Sequence, residues 1–273
     1  MPQPAYPWFV RSYQNEYNRL QETLESCRHC IDSPKRQKHL AVAVGLKTYL
    51  SIPATEPMVD GHCLIVPMAH CSSSVQLDED VHQEMMIWRK GLVAMFADRD
   101  EDCVFVETAK NIRHQPHMLV ECIPIPNEFS DTISIYFKKA ILESESEWAQ
   151  NKKLIELSRK ELRRSIPKGF SYFAVDFGLQ AGFAHVIEHE HLFPAYFGKE
   201  IIAGVLDLEH NRWRKPRSLD RDEQQKIVTE MKRAWKPYDW TERAKAALKD
   251  GERDSDSDAD SFQNAEKVAK TEK

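Results

Sequence analysis

The fold is decided by the segment His117-Met118-Leu119-Val120-Glu121-Cys122-Ile123-Pro124, which reads as a β-strand. Other short runs rich in strand-forming residues precede it, and turn residues such as Gly45 and Asp60-Gly61 separate them. The runs, in chain order, are Leu40–Val44, Thr48–Ile52, His62–Val66, Cys103–Glu107 and His117–Ile123. This series of runs predicts a sheet at the centre of the fold.

A helix is predicted between the third and fourth runs. Apolar residues recur there at helical spacing, and Asp78 precedes them as a suitable N-cap. Several strands and one helix over about a hundred residues predict an α+β sheet domain for residues 27–130. Residues 1–26 read as a separate lead-in, rich in aromatic residues and proline, that continues into a short polar helix.

A smaller α+β module is predicted over residues 131–242. It begins with a polar-rich stretch, Ile133 to Ser165, that is either one helix or two. The elements that follow are the strands Tyr172–Phe177 and Phe183–Glu188, a helix from Phe193 to Leu208, and a charged helix ending at Trp235.

The last segment, residues 243–273, is predicted to be a disordered acidic tail. Residues 250–260 carry six acidic residues and one arginine, with serines between them. Ser255 and Ser257 are flanked by aspartates, a pattern that suits an acid-directed kinase, so both are phosphorylation candidates.

The composition narrows the class of protein. The chain has a net charge of -5 and is 41% hydrophobic and 30% charged, so nucleic-acid contacts must come from local basic patches. Apolar runs are too short for a membrane span, and the first residues do not resemble a secretory signal. Six cysteines, two of them in a Cys-x2-Cys pair, fit an intracellular metal protein better than a disulfide scaffold.

Cys27 and Cys30 have the spacing of a zinc knuckle, in which one tight turn directs two thiolates at one ion. Two further ligands are needed, and His70 and His117 are the predicted pair, with His114 as a rival to His117. Two thiolates and two neutral imidazoles would balance the zinc charge in a closed structural site. The alternative is that Cys27 and Cys30 are reduced thiols at a helix end.

Several rare sequence blocks resemble a known family. The stretch from Cys27 through Pro126 carries the first part of the likeness. The other blocks are Tyr136-Phe137-Lys138-Lys139-Ala140-Ile141-Leu142-Glu143-Ser144-Glu145, Gly182-Phe183-Ala184-His185-Val186-Ile187-Glu188, Ile202-Ala203-Gly204-Val205-Leu206-Asp207 and Ala234-Trp235-Lys236-Pro237-Tyr238-Asp239-Trp240. In this order they resemble the CwfJ C-terminal region of the Cwf-nineteen-like splicing factors, over about residues 20–242.

The resemblance implies a nuclear, spliceosome-associated protein that acts in pre-mRNA splicing. It implies partners among the splicing proteins, an excised intron lariat as the RNA, and a link to the lariat-debranching enzyme. It also implies that the first module has a histidine-triad-like fold with an antiparallel sheet, so the whole chain is expected to be an α+β protein. Some proteins of that superfamily bind zinc through two cysteines and two histidines, which correspond here to Cys27, Cys30, His70 and His117.

The catalytic strand of histidine-triad enzymes reads His-x-His-x-His-x-x-Pro, and its middle histidine attacks phosphorus. Here His117 keeps the first position, while Leu119 and Glu121 replace the second and third. Leucine cannot form a covalent nucleotidyl intermediate, so a noncatalytic binding protein is predicted. The alternative is a phosphoester hydrolase or nucleotidyl transferase with another nucleophile.

A basic cluster with an internal tryptophan is the candidate RNA contact. Arginines grip phosphates through paired hydrogen bonds, and an exposed indole can stack on an unpaired base. The candidates are Arg212, Trp213, Arg214, Lys215 and Arg217. The alternative is a solvated loop with Trp213 packed into the core.

Overall fold

The computed structural model describes residues 7–144, 153–158 and 160–247, with side chains described from residue 14 onward. Within these residues the strands are β1 (Ala41–Val44), β2 (Thr48–Ser51), β3 (Cys63–Pro67), β4 (Glu101–Ala109), β5 (Val120–Pro126), β6 (Ile155–Glu156), β7 (Tyr172–Phe177) and β8 (Gln180–Val186). The helices are α1 (Pro7–Ser26), α2 (Glu79–Ala97), α3 (Ser130–Glu143), α4 (Leu162–Ser165), α5 (Phe197–Val205), α6 (His210–Trp213) and α7 (Arg221–Trp235). Residues 241–247 are also helical.

The strands form one antiparallel sheet in the order β1-β2-β3-β5-β4-β7-β8-β6. The predicted α+β fold with an antiparallel sheet is therefore confirmed, whereas its histidine-triad-like character stays a prediction. The two predicted modules share this sheet, because β4 of the first pairs with β7 of the second, with Val106 opposite Val175. The second module thus extends the sheet of the first.

Side chains of the sheet alternate between two apolar layers. On β4, Phe105 lies in the layer beneath α2, whereas Val104 and Val106 lie in the layer that contains α3 and α5. The first layer includes Trp88 of α2 and Trp235 of α7, whose ring centroids are 5.3 Å apart. Helix α7 therefore completes the core of the first module.

The close approach of α2 and α7 depends on a glycine. A Cβ atom added at Gly91 would lie 2.5 Å from Cη2 of Trp235, which is too close for any other residue. The start of α7 is fixed by a capping box, in which Asp220 accepts a hydrogen bond from the Glu223 amide at 2.8 Å and Glu223 accepts one from the Asp220 amide at 3.0 Å.

Several element boundaries differ from the prediction. The last strand of the first module begins at Val120 and not at His117, because the Met118 amide donates to the Cys71 carbonyl outside the ladder. The stretch Ile133 to Ser165 is not one helix, since α3 ends at Glu143 and the strand β6 follows. The helix predicted from Phe193 to Leu208 is the shorter α5.

The structure describes only the first five residues of the predicted tail, residues 243–247. Residues 243–247 are helical, so the first part of the segment predicted as disordered is ordered. The remaining residues, with the phosphorylation candidates Ser255 and Ser257, lie outside the described residues. Among the helices that the structure describes, none has the length and apolar character needed to cross a membrane.

Candidate metal centre and adjoining cleft

A tight turn after α1 brings two thiols together. The amides of His29 and Cys30 each donate to Sγ of Cys27 at 3.4 Å, which is the pattern expected where one turn directs two sulfurs inward. The hydroxyl of Tyr49 donates to the His29 carbonyl at 2.7 Å and fixes the turn against β2. The turn is therefore held in place by the sheet.

Four side chains converge at this turn. Ligand atoms of Cys27, Cys30, His70 and His117 all lie within 4.8 Å of one another. Nδ1 of His117 is 3.4 Å from both sulfurs, and Nδ1 of His70 is 3.2 Å from Sγ of Cys30. Sulfur and imidazole ligands of one tetrahedral zinc lie roughly 3.5 Å apart, given Zn–S of ~2.3 Å and Zn–N of ~2.0 Å. The spacing suits a single ion.

Both histidines are oriented by backbone carbonyls. Nε2 of His70 lies 2.8 Å from the Gln115 carbonyl oxygen, and Nε2 of His117 lies 3.0 Å from that of Pro67. A carbonyl only accepts hydrogen bonds, so Nε2 carries a hydrogen and Nδ1 faces the thiols. Nδ1 donates to a thiolate when the ring is protonated and offers its lone pair to a metal when the ring is neutral. The hydrogen bond from Nε2 is the second interaction that metal-bound histidines usually make.

The cluster favours a thiolate. Burial opposes a charge on Cys27, but hydrogen bonds from His117, His70 and the amides of His29 and Cys30 outweigh it and lower the pKa of Cys27 to about 4. Burial and the neighbouring Cys27 charge raise the pKa of Cys30. The second proton would be released on metal binding, since a metal ion supplies the missing positive charge.

The structure distinguishes between His117 and His114, the two histidines that the sequence offered as the fourth ligand. His117 joins the cluster, whereas His114 is exposed in the turn that follows β4. The His29 ring stands beside the cluster, with its centroid 5.6 Å from that of His117, but does not share in it. All four predicted ligands therefore meet at one point.

A cleft lies beside this centre, on the sheet face that carries Leu119 and Glu121. Glu121 accepts a hydrogen bond from Nε2 of His62 at 3.0 Å and pairs with Nζ of Lys199 at 2.8 Å. Burial opposes the charge on Glu121, but His62 and Lys199 outweigh it and lower the pKa of Glu121 to about 2. Glu121, which the sequence resemblance predicts at the third triad position, is therefore a carboxylate engaged in an ion pair.

The Glu121 ion pair predicts a pH-dependent stability difference. The lowered pKa means that ionised Glu121 stabilises the fold by roughly 2–3 kcal/mol above about pH 4.5, and that this contribution disappears as the pH falls toward 2. The free energy of unfolding of Glu121→Gln should therefore lie below that of the wild type at pH 6 and approach it at pH 3. Urea titrations at both pH values measure this, and a constant difference would contradict it.

Trp213 is not an exposed stacking residue. Its side chain is 9% exposed and packs against Tyr196 and His210, at ring-centroid distances of 5.3 and 4.8 Å. It belongs to the apolar layer on the α3 side of the sheet. Its burial favours the alternative of a Trp213 that packs into the core, although the residue also lines the cleft.

The basic residues around Trp213 are largely engaged with other side chains. Arg212 pairs with Glu56 at 2.8 Å, and Arg217 makes two bonds to Glu223, at 3.1 and 2.9 Å. Nη1 of Arg214 lies 3.0 Å from Nε2 of His210, and Lys215 is exposed. Only Arg212 of these four lines the cleft. The candidate residues thus do not form one open phosphate-binding surface.

The cleft contains residues that sequence reasoning did not select. Arg28, Arg36 and Lys199 line it together with Arg212 and Glu56. Arg28 lies inside the Cys-x2-Cys turn, so its position next to a metal-binding motif was a usable signal. No sequence pattern pointed to Lys199, because it approaches Glu121 only through the packing of α5 on β5, a strand far away in the sequence.

Comparisons with known proteins agree with the blocks identified in the sequence. A family model described as "Protein similar to CwfJ C-terminal" matches residues 14–138, and "Protein similar to CwfJ C-terminus 2" matches residues 147–241. Human CWF19-like protein 2 is 50% identical over 226 residues, which are 83% of this chain and 25% of that protein. The Caenorhabditis elegans homolog is 50% identical over 230 residues, 84% of this chain and 50% of that protein.

A more distant relative is the pre-mRNA-splicing factor cwf19 of Schizosaccharomyces pombe, which is 26% identical over 202 residues, 71% of this chain and 32% of that protein. The chain therefore spans about a quarter to a half of the length of these relatives. Two family models that together match most of the chain, and relatives about 50% identical to it, show that it belongs to the Cwf19-like family and carries the CwfJ C-terminal region.

Proposed function

We propose that this chain is a noncatalytic, zinc-stabilised binding region that acts in pre-mRNA splicing in the nucleus. The proposal rests on two relatives, one named as the pre-mRNA-splicing factor cwf19 and the other as CWF19-like protein 2. Its place in splicing is a late complex that holds the excised intron lariat, or the turnover of that lariat. Its partners are intron RNA and spliceosomal proteins, with the lariat-debranching enzyme as a further partner.

Zinc is the proposed metal because of the donor set. Two sulfurs and two imidazole nitrogens at this spacing are typical of closed structural zinc sites, and four protein ligands leave no position for a reacting water. The Nε2 hydrogen bonds to backbone carbonyls hold both histidines in the ligand orientation. The site is therefore assigned a structural role.

A binding role is favoured over catalysis by the contents of the cleft. The aliphatic side chain of Leu119 cannot attack phosphorus, and the Glu121 carboxylate is held by Lys199 and His62. A panel of mononucleotide and dinucleotide substrates tests this directly, with no turnover expected. Turnover that survives chelator controls and disappears in His117→Ala or His114→Ala would favour the hydrolase alternative.

The splicing role is tested by the RNA that accompanies the tagged chain in nuclei. Sequencing of crosslinked RNA should recover excised introns, recognised by reads that cross the branch junction. The Cys27→Ser/Cys30→Ser variant should lose this enrichment, because the centre that orders the cleft is removed. Recovery of mature mRNA alone, or of no RNA and no splicing proteins, would contradict the proposal.

A further inference from the structure

A cleft of about 260 Å³ lies between the Cys-x2-Cys turn and the segment of α5 and α6. Its floor comes from the sheet face that carries Tyr49, Leu64 and Glu121. Part of its lining is apolar, formed by Leu40, Ile52, Leu64, Leu119 and Pro216. The remaining walls are charged, and they bring together residues from both family-model regions.

The charged walls carry an excess of positive charge. The lining contains four cationic side chains and two carboxylates. The cations are Arg28, Arg36, Lys199 and Arg212, and the carboxylates belong to Glu56 and Glu121. Glu56 pairs with Arg212 and Glu121 pairs with Lys199, so both carboxylates are already matched. The excess therefore resides on the two remaining arginines.

Arg28 and Arg36 form no salt bridge with any residue in the described part of the chain. The guanidinium of Arg36 lies 4.5 Å from the centroid of the buried Tyr49 ring, which orients it without neutralising its charge. Arg28 lies in the turn that the Tyr49 hydroxyl holds through the His29 carbonyl. Tyr49 thus helps to position both Arg28 and Arg36, which lie on the same side of the cleft.

We propose that this cleft binds one nucleotide unit of single-stranded RNA, with its phosphate between Arg28 and Arg36. Arginines without acidic partners are suited to a phosphate, which accepts paired hydrogen bonds from guanidinium groups. The apolar lining offers a surface for one unstacked base. The volume lies near the lower limit of about 300 Å³ for small-molecule sites, so a single unit fits and a longer segment must continue outside.

This inference rests on the proposed RNA contact and gives it a location. The proposed RNA phosphate contact is thereby assigned to Arg28 and Arg36 beside the metal centre, and not to the basic cluster around Trp213. Arg212 remains part of the site through its place in the cleft, where a phosphate would compete with Glu56 for its guanidinium.

The test compares two double variants of the chain. Arg28→Ser/Arg36→Ser removes the unpaired cations, and Lys35→Ser/Lys38→Ser removes the same charge from exposed positions that do not line the cleft. Affinity for a labelled single-stranded oligoribonucleotide is measured by fluorescence anisotropy over a series of salt concentrations. Thermal unfolding of all three proteins shows whether the variants remain folded.

The arginine variant is expected to bind about tenfold or more weakly, because charge-assisted hydrogen bonds to phosphate are lost. Its salt dependence, the slope of log affinity against log salt, should fall in magnitude by about 0.7, since one neutralised phosphate of a single strand contributes about that much. The lysine variant should stay within about twofold of the wild type. Equal losses in the two folded variants would overturn the proposal.

Competition separates RNA from a free nucleotide as the source of the phosphate. Unlabelled oligoribonucleotide should displace the probe at lower concentration than adenosine monophosphate, and inorganic phosphate alone should displace it least. If the oligoribonucleotide does not bind, while adenosine monophosphate binds the wild type and not the arginine variant, a nucleotide site replaces the RNA site. If intron recovery in nuclei is unchanged in the arginine variant, the cleft inference fails and the splicing proposal stands.

Discussion

Replacing Cys27 and Cys30 together with serine is expected to abolish metal binding and to lower the free energy of unfolding by more than about 5 kcal/mol. Structural zinc in small domains contributes about 10–16 kcal/mol, because the site exists only in the folded state. The ligands come from the end of α1, the segment after β3 and the segment before β5, so one ion would join three distant parts of the chain. Chemical denaturation monitored by circular dichroism measures the change.

Cys71→Ser provides the matched control for this variant. Cys71 is a partly exposed thiol next to His70, and its sulfur donates to the Ser73 carbonyl at 3.2 Å, outside the four-residue cluster. We expect it to change stability by less than about 1 kcal/mol, as hydrogen bonding is largely preserved. Equal effects in the two variants would show that loss of a thiol, and not loss of a metal, explains the result.

Trp235→Ala is expected to destabilise the whole chain by about 3–5 kcal/mol, the usual effect of removing a large buried aromatic side chain. Trp235 is fully buried against Trp88 and Gly91 of α2, although it belongs to the second family-model region. Unfolding should remain a single transition by tryptophan fluorescence and circular dichroism, because the shared sheet couples the two regions.

Tyr136→Ala tests whether this effect comes from the core. Tyr136 is an aromatic residue of α3 that is more than half exposed, so its removal should change stability by less than about 1 kcal/mol. A small loss in Trp235→Ala, with the first region unfolding separately at wild-type denaturant concentration, would show that α7 is an independent unit. The continuous sheet predicts the opposite result.

The elements predicted best from the sequence are those with local patterns. Tyr172–Phe177 is predicted and observed with the same bounds, because a short run rich in aromatic and apolar residues ends at a glycine turn. The α2 helix begins after Asp78, as its apolar spacing indicates. The convergence of Cys27, Cys30, His70 and His117 was also predictable, since a Cys-x2-Cys pair that binds a metal requires two further donors and few histidines lie near strand ends.

Long-range pairings were not predictable in this way. Nothing local to β4 or β7 shows that these strands are neighbours, and nothing in α7 shows that it packs on α2. Trp213 was ambiguous, because a basic loop and a buried anchor have the same composition. Glu84 reads as an exposed helix residue, yet its buried carboxylate accepts hydrogen bonds from the amides of Leu46, Lys47 and Thr48 at 2.9–3.1 Å.

The central claim is that a zinc centre orders a noncatalytic cleft. Native mass spectrometry of the purified chain tests most directly whether that zinc is bound. The account predicts that the folded, low-charge ions carry the mass of one zinc per chain, and that the Cys27→Ser/Cys30→Ser variant carries none. Elemental analysis of the same samples identifies the metal. A metal-free mass for the folded wild type, or full zinc retention in the double variant, would contradict it.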